Sequence, residues 1–353
     1  MKASTFRALV SGQRHGPLAA VTRCCLRLAE LPYSWAVRCR NHAYDVGKRS
    51  VLRLDVPVIS VGNLTLGGTG KTPTVEWLAR HFLQQQYRVA IVSRGYGTQA
   101  GKLNDEAMEL AEKLPEVPHV QNSDRVAAAR RAVRDHNCQL ILLDDGFQHR
   151  RLARDLDLVL IDSLEPFGFE HIFPRGTLRE PVTSLQRADV IALTRADMVD
   201  EQQRKRIRRR VRKLARNAVW LEIVHQPTAL MDIEGNSQPL DQIENQRIAA
   251  FCGIGNPVNF RRTLSQCSWD VVGWREFADH HDYSPSDVES LQRWSENCGS
   301  NALVCTRKDL VKLREFWPAD MPLYALTVET KIVEGLEKFY ALLDPLLSQI
   351  RKK

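Results

Sequence analysis

The run Val61-Gly62-Asn63-Leu64-Thr65-Leu66-Gly67-Gly68-Thr69-Gly70-Lys71-Thr72-Pro73 constrains this chain more than any other feature. An apolar stretch, Val56-Pro57-Val58-Ile59-Ser60, precedes it, and the helical pattern Val75-Glu76-Trp77-Leu78-Ala79-Arg80 follows. In a strand–turn–helix of this kind the backbone N–H groups of the turn point inward at an anion. The spacing predicts Thr65, Leu66, Gly67, Gly68, Thr69 and Gly70 as a phosphate cradle. Lys71 would reach the outer phosphates, and the Thr72 hydroxyl would ligate Mg²⁺. Thr65 stands where the full pattern has its first glycine, and the Gly67–Gly70 cluster supplies the flexibility a turn later. Pro73 falls in the first turn of a helix, where a missing N–H costs little.

A second signal is Leu140-Ile141-Leu142-Leu143-Asp144-Asp145-Gly146-Phe147-Gln148-His149. An apolar strand ending in acidic residues is how a phosphate-loop protein holds Mg²⁺ opposite the loop. Side chains alternate across a strand, so Asp144 and Asp145 cannot both face one ion in regular geometry. One belongs at the metal and the other supports the site.

Around these signals the chain reads as repeated strand–helix units. Strands are predicted at Val56–Val61, Arg88–Ser93, Leu140–Leu143, Leu156–Ile161 and Val190–Leu193, with helices at 73–86, 105–114 and 123–136 between them. Short apolar strands separated by helices imply a parallel sheet covered on both faces. At 353 residues the chain exceeds one typical domain. A second α/β unit is expected from Arg247, with a helix at 258–266, a strand at Trp269–Trp274, a helix at 285–297 and a strand at Ala302–Cys305. The predicted architecture is therefore two α/β/α lobes. The first, 54–218, is a P-loop NTPase-like parallel sheet, and the second, 247–353, is a smaller Rossmann-like unit. Residues 219–246 connect them, with a strand-like Trp220–Val224.

Residues 1–53 form a separate prelude, with ten Lys/Arg against Glu30 and Asp45. Between Pro17 and Gly47 the pattern is helical, with Leu18, Val21, Cys25, Leu28 and Ala29 on one face and Tyr33, Trp35 and Tyr44 following. A basic amphipathic helix with aromatics fits a membrane interface, and equally a helix packed on the body of the protein. Residues 201–216 form a second basic helix. It is either a solvated face or a further contact with anionic lipid. The formal net charge of +8 fits an acidic partner. No apolar run approaches a spanning helix. The eight scattered cysteines, several of them inside apolar runs such as Cys138 and Cys305, argue for buried free thiols in a reducing cytosol rather than a disulfide framework or zinc site.

Taken with Ser93-Arg94-Gly95-Tyr96-Gly97, the glycine loop and Leu143-Asp144-Asp145-Gly146-Phe147-Gln148-His149-Arg150 resemble the tetraacyldisaccharide 4′-kinase (lipid A 4′-kinase) family. Leu178-Arg179-Glu180-Pro181, Ala278-Asp279-His280-His281 and Thr306-Arg307-Lys308-Asp309 extend the likeness, in the family's order, from about Val56 to Lys312. The Asp-Asp-Gly-Phe-Gln-His string is the most specific of these. The family resembled builds its phosphate loop without the first glycine, which accounts for Thr65.

The resemblance implies ATP- and Mg²⁺-dependent phosphorylation of a sugar hydroxyl on an acylated glucosamine disaccharide 1-phosphate, a lipid A precursor. The enzyme would be peripheral, at the cytoplasmic face of an inner membrane, with an anionic membrane surface as partner. Neither nucleic acid nor an obligate protein partner is implied. Carried over by motif, Lys71 and Thr72 are the phosphate-loop pair, and Asp144 and Asp145 the Mg²⁺-site carboxylates, with Gln148 and His149 beside them. Asp105 would accept the hydroxyl proton, His280 would orient or tune it, and Glu106 would neighbour the metal. Here Asn104 replaces the family's usual glycine before that acidic pair. Arg125 and Arg179 would lie near substrate or phosphates. The competing reading is a cytosolic P-loop NTPase acting as a switch or assembly factor. A non-enzymatic basic membrane- or nucleic-acid-binding protein is a further alternative, and the basic stretches lack the aromatic interleaving of single-strand binders.

Overall fold

A computed structural model describes residues 3–95, 105–255, 257–279, 281–318 and 321–351. The chain divides into two compact units, Met1–Val224 with Ile332–Lys353, and His225–Lys331.

In the first unit, helices α1 (Ala3–Val10) and α2 (Pro17–Asp45) precede β1 (Val58–Asn63) and α3 (Lys71–Gln84). There follow β2 (Val89–Ser93), α4 (Asp105–Lys113), β3 (His119–Gln121), α5 (Arg125–His136) and β4 (Leu140–Asp144). Next come β5 (Leu156–Asp162), β6 (Val190–Thr194), α6 (Glu201–Leu214) and β7 (Val219–Met231), whose second half enters the other unit. The strand order β7-β6-β5-β1-β4-β2-β3 is parallel throughout. β1 lies between β4 and β5, where the order of winding reverses, and open α/β sheets bind ligands beyond the carboxyl ends of strands at such a point. The expected phosphate loop leaves β1 there.

Both faces of this sheet are buried, as its near-continuous apolar strands require. On one face Ile59, Val61, Leu140 and Leu142 meet α3 (Val75, Leu78, Phe82) and the C-terminal helix (Phe339, Leu343, Leu347). On the other, Ile141 and Leu143 pack against α5, and Ile191 and Leu193 against Ile207 and Val211 of α6.

The second unit holds β8 (Ser237–Gln238), β9 (Arg247–Cys252), α7 (Pro257–Leu264), β10 (Asp270–Glu276), α8 (Pro285–Cys298), β11 (Ala302–Thr306), α9 (Arg307–Leu313) and most of β12 (Leu323–Glu334). Its order β10-β9-β11-β12 is parallel, and β8 pairs antiparallel with the end of β7. Ser284 caps α8 in a reciprocal box with Asp287, and Pro285 opens the helix. The Thr-Arg-Lys-Asp motif is a structural joint. Thr306 caps α9, and the buried Asp309 accepts from Gly253 N at 3.0 Å and from the Tyr283 hydroxyl at 2.9 Å.

Two expected boundaries differ. The 219–246 connector is not a separate linker, because β7 runs through it as one strand from the first unit into the second. The 247–353 lobe ends early. Helix α10 (Leu336–Arg351) returns to the first unit, where Phe339 is fully buried in the α3 face of the sheet.

The N-terminal helix is inverted relative to a packed surface helix. Its buried residues are Glu30, Val37 and Asn41, while Leu18 is 80%, Leu28 68% and Trp35 70% exposed. Among the described residues no helix is long and apolar enough to cross a membrane. All eight cysteines are free: Cys138, Cys252 and Cys305 are buried, and Cys24, Cys25 and Cys39 lie exposed on α2.

Candidate active site

The loop after β1 is held from three sides. Asn63, the last residue of β1, donates from Nδ2 to Thr69 Oγ1 at 2.9 Å. Thr194, ending β6, donates its hydroxyl to Thr69 O at 2.9 Å, and the next residue, Arg195, donates to Gly68 O at 2.9 Å. Leu66 N donates to Thr177 O at 2.7 Å, and Arg179 N to Leu64 O at 2.7 Å, so the 177–179 segment runs alongside the loop. Gly70 takes φ +85° immediately before α3, a left-handed conformation suited to glycine. Helix α3 therefore begins at Lys71, with its first N–H groups and the positive end of its dipole at the loop. Thr194 and Arg195 lie just past the strand expected at Val190–Leu193, and the sequence gives them no signal of their own. Their role appears once β6 is seen two places from β1.

Asp144 and Asp145 part company at the end of β4, as alternation requires. Asp144 is the buried last residue of the strand, in register with Val61. Asp145 turns out of it at φ +53°. Both carboxylate oxygens of Asp145 accept from Arg179 Nη1 at 2.8 Å, and Lys71 Nζ lies 3.7 Å away. Burial works against the charge on Asp145, but Lys71, Arg179 and Arg125 overcome it and hold the carboxyl below its usual range. Gln148 donates to Asn63 O at 2.8 Å, tying the acidic turn to the end of β1. Gly62 allows the close approach: a Cβ there would lie 2.6 Å from Phe147 Cβ.

Arg125 opens α5 behind the Asp124 cap, which accepts from Val126 N and Ala127 N. Burial and Arg94 pull its guanidinium below the usual value, while Asp145, Asp144 and Asp124 oppose them. Burial, Arg125 and Arg151 push His149 down to about 4, so its imidazole is neutral at neutral pH. Arg125 Nε, His149 Nε2 and Arg179 Nε are buried without a hydrogen-bond partner. Three buried groups of this kind, beside a loop of N–H donors, suit an anion with many oxygens.

The structure thus brings together Lys71, Asp145, Gln148 and Arg179 by direct contact, and places Arg125, Asp144 and His149 in the same electrostatic neighbourhood. Asp105 begins α4, but its side chain, that of Glu106, and His280 lie outside the described residues. No group of three or more His, Cys, Asp or Glu side chains able to hold a metal occurs among the described residues.

Comparison with known proteins agrees with this geometry. The tetraacyldisaccharide-1-P 4′-kinase family profile matches residues 22–348. The tetraacyldisaccharide 4′-kinase of Anaeromyxobacter sp. (strain K) is 36% identical over 367 residues, covering 98% of this chain and 96% of the relative. That of Halothermothrix orenii is 33% identical over 340 residues, covering 87% and 88%. Among solved structures, LpxK from Aquifex aeolicus, described in complex with ATP, superposes with a TM-score of 0.73 at 28% identity, covering 92% of this chain and 99% of that one. With its phosphate loop, acidic strand end and whole-length match, the chain belongs to the tetraacyldisaccharide-1-P 4′-kinase family.

Proposed function

We propose that this chain transfers the terminal phosphoryl group of ATP to the 4′-hydroxyl of an acylated glucosamine disaccharide 1-phosphate, a step of lipid A biosynthesis. The observation that carries this reading is the Asp145 cluster, with Lys71 and Arg179 held on one carboxylate beside the phosphate loop, in a family member matched over almost its whole length.

The loop N–H groups and the α3 N-terminus cradle the phosphates, and Lys71 and Arg179 neutralise charge on the outer ones. Asp145 sets the spacing of the two cations. Thr72 and Asp144 would hold Mg²⁺, which when bound neutralises phosphate charge and orients the transferred group. Asp105 accepts the proton of the attacking hydroxyl, an assignment that rests on its motif. Its work is to give that proton a place as the oxygen attacks in line.

The substrate is a lipid, so the enzyme works at a membrane surface, on the cytoplasmic side where ATP is available. The outward apolar face of α2 supports a peripheral mode, with Leu18, Val21, Leu28, Leu31 and Trp35 in the interface and Glu30 and Asn41 anchoring the helix to the body.

The test incubates purified protein with γ-labelled ATP, Mg²⁺ and tetraacyldisaccharide 1-phosphate in detergent. Label in a bis-phosphorylated lipid, lost in Lys71→Ala and Asp105→Ala, is the expected result. ATP hydrolysis indifferent to the lipid, with no labelled product, would instead establish the NTPase switch.

A further inference from the structure

Helix α6 carries Arg204, Lys205, Arg206, Arg208, Arg209, Arg210, Arg212 and Lys213 against a single acid, Glu201. The helix uses some of this charge internally. Arg204 pairs with Glu222, Lys205 with Glu201, Arg208 with Glu334 and Arg210 with Glu170. Arg206, Arg209 and Lys213 have no carboxylate partner among the described residues. These three line one groove of about 620 Å³ together with Pro166, Phe167 and the Arg210–Glu170 ion pair. Arg210 closes it by stacking its guanidinium 4.1 Å from the Phe167 ring centroid. A cleft lined by three unmatched cations and by the apolar Pro166 and Phe167, its one carboxylate Glu170 already held by Arg210, suits an anionic headgroup attached to a hydrocarbon.

Its place in the fold narrows the source. The loop that carries Pro166 and Phe167 also clasps the N-terminal helix. Glu170 pairs with Arg210 of α6, the next two residues engage Glu30 of α2, and Phe173 packs edge-on against Tyr33 at 5.9 Å. A single short segment therefore links the basic groove to the helix whose apolar side faces outward. Phe173 and Leu164 on that segment are themselves 39% exposed. Nucleic acid would use the cations but has no use for the neighbouring apolar row. A bilayer uses both.

We propose that the α6 groove binds anionic phospholipid headgroups, as a second and electrostatic membrane contact beside α2. This rests on the peripheral reading of α2 above. The division of labour is physical. The apolar side chains of α2 supply affinity indifferent to lipid charge, and the α6 cations supply selectivity that fades with salt. Each basic residue close to an anionic surface contributes about fivefold to partitioning.

The experiment is vesicle co-sedimentation of the full chain, with pure phosphatidylcholine vesicles and with vesicles containing phosphatidylglycerol, at low and high salt. Wild-type protein is expected to favour the phosphatidylglycerol vesicles by about tenfold or more at low salt. The variant R206Q/R209Q/K213Q should lose that preference, retain phosphatidylcholine binding, and keep wild-type turnover on detergent-dispersed substrate. R206K/R209K should retain the preference, because charge rather than guanidinium shape is what acts. A second variant, L28S/W35S, should lose binding to both vesicle types and so tests the α2 reading separately. Undiminished phosphatidylglycerol preference in the triple variant would overturn the proposal while leaving α2 untouched. Wild-type protein that binds neither vesicle would overturn both. Displacement from the anionic vesicles by duplex DNA at lower concentration than by free lipid would reassign the groove.

Discussion

Arg179 Nη1 donates to both oxygens of Asp145 at 2.8 Å, while Lys71 Nζ stands 3.7 Å from the same carboxylate. Residues separated by 108 positions in sequence thus share one counter-charge beside the phosphate loop. Arg179→Ala should lower kcat by about 10²–10³-fold, the cost of deleting one preorganised group that faces developing charge. Asp145→Asn leaves both cations without their fixed partner and should raise KM for ATP as well as lower kcat. Steady-state kinetics on both substrates distinguishes the two patterns. Because Asp145 is held below its usual range, its stabilising charge is fully present above the ordinary carboxylate value. It declines as pH falls below that value and is gone once pH has passed through the depressed folded one. Unfolding curves at neutral pH and in acid should show this loss in the wild type and not in Asp145→Asn.

The phosphate loop also meets helix α1. Gly67 sits at φ +117°, and a Cβ there would collide with the Arg7 guanidinium. Gly67→Ala carries backbone strain of about 1–3 kcal/mol, while the Arg7 guanidinium, the free end of a flexible side chain, moves aside at little cost. ATP affinity should fall about tenfold or more, read by calorimetric titration. Arg7→Ala in the Gly67→Ala background should restore little of the loss, because the backbone part dominates. The double-mutant cycle then reads the coupling between the two residues.

His119 on β3 is pushed down to about 4, chiefly by burial, with a backbone hydrogen bond to Ala107 partly opposing it. Its Nε2 lies 2.8 Å from the Ser93 hydroxyl. The unfolded chain takes a proton at this histidine near 6.5, and the folded chain resists until about 4. Stability is therefore complete above the unfolded value and declines as pH falls from there toward the folded one. At pH 5 the loss from this one group is about 2 kcal/mol. Denaturant melts at pH 7 and pH 5 should show the wild type losing that much more than His119→Gln.

Phe339 on α10 is fully buried among Trp77, Phe82 and the sheet residues of the first unit. Phe339→Ala should destabilise that unit by about 3–5 kcal/mol, the usual cost of an emptied aromatic site. Truncation after Gly335 should be worse, since it also uncovers one face of the sheet. Thermal unfolding with ATP present and absent checks both.

Local patterns determined much of this protein. The five strands expected in the first unit all form, within a few residues, because apolar runs bounded by turn residues have few other ways to bury themselves. The phosphate loop could be read because a glycine-rich turn between strand and helix has its chemistry in its own backbone. The short β3 was not readable, since three residues carry no usable period. The sequence groups the C-terminal helix with the 247–353 lobe and the fold returns it to the first unit, because an apolar face states that it must be covered and not by what. The same limit applied to α2: its sequence fits either burial or exposure of Leu18 and Leu28. Burial of Glu30 and Asn41 on the opposite side decided it, through bonds to Ile172 N and Glu180. Likewise the adjacent pair Asp144-Asp145 announced a site, but only the fold shows how its members part. Strand register carries Asp144 to the end of β4, and the turn delivers Asp145 to two cations distant in sequence. Chemistry written in contiguous residues was legible from the chain, whereas pairings across more than a hundred residues exist only once the parallel sheet brings them together.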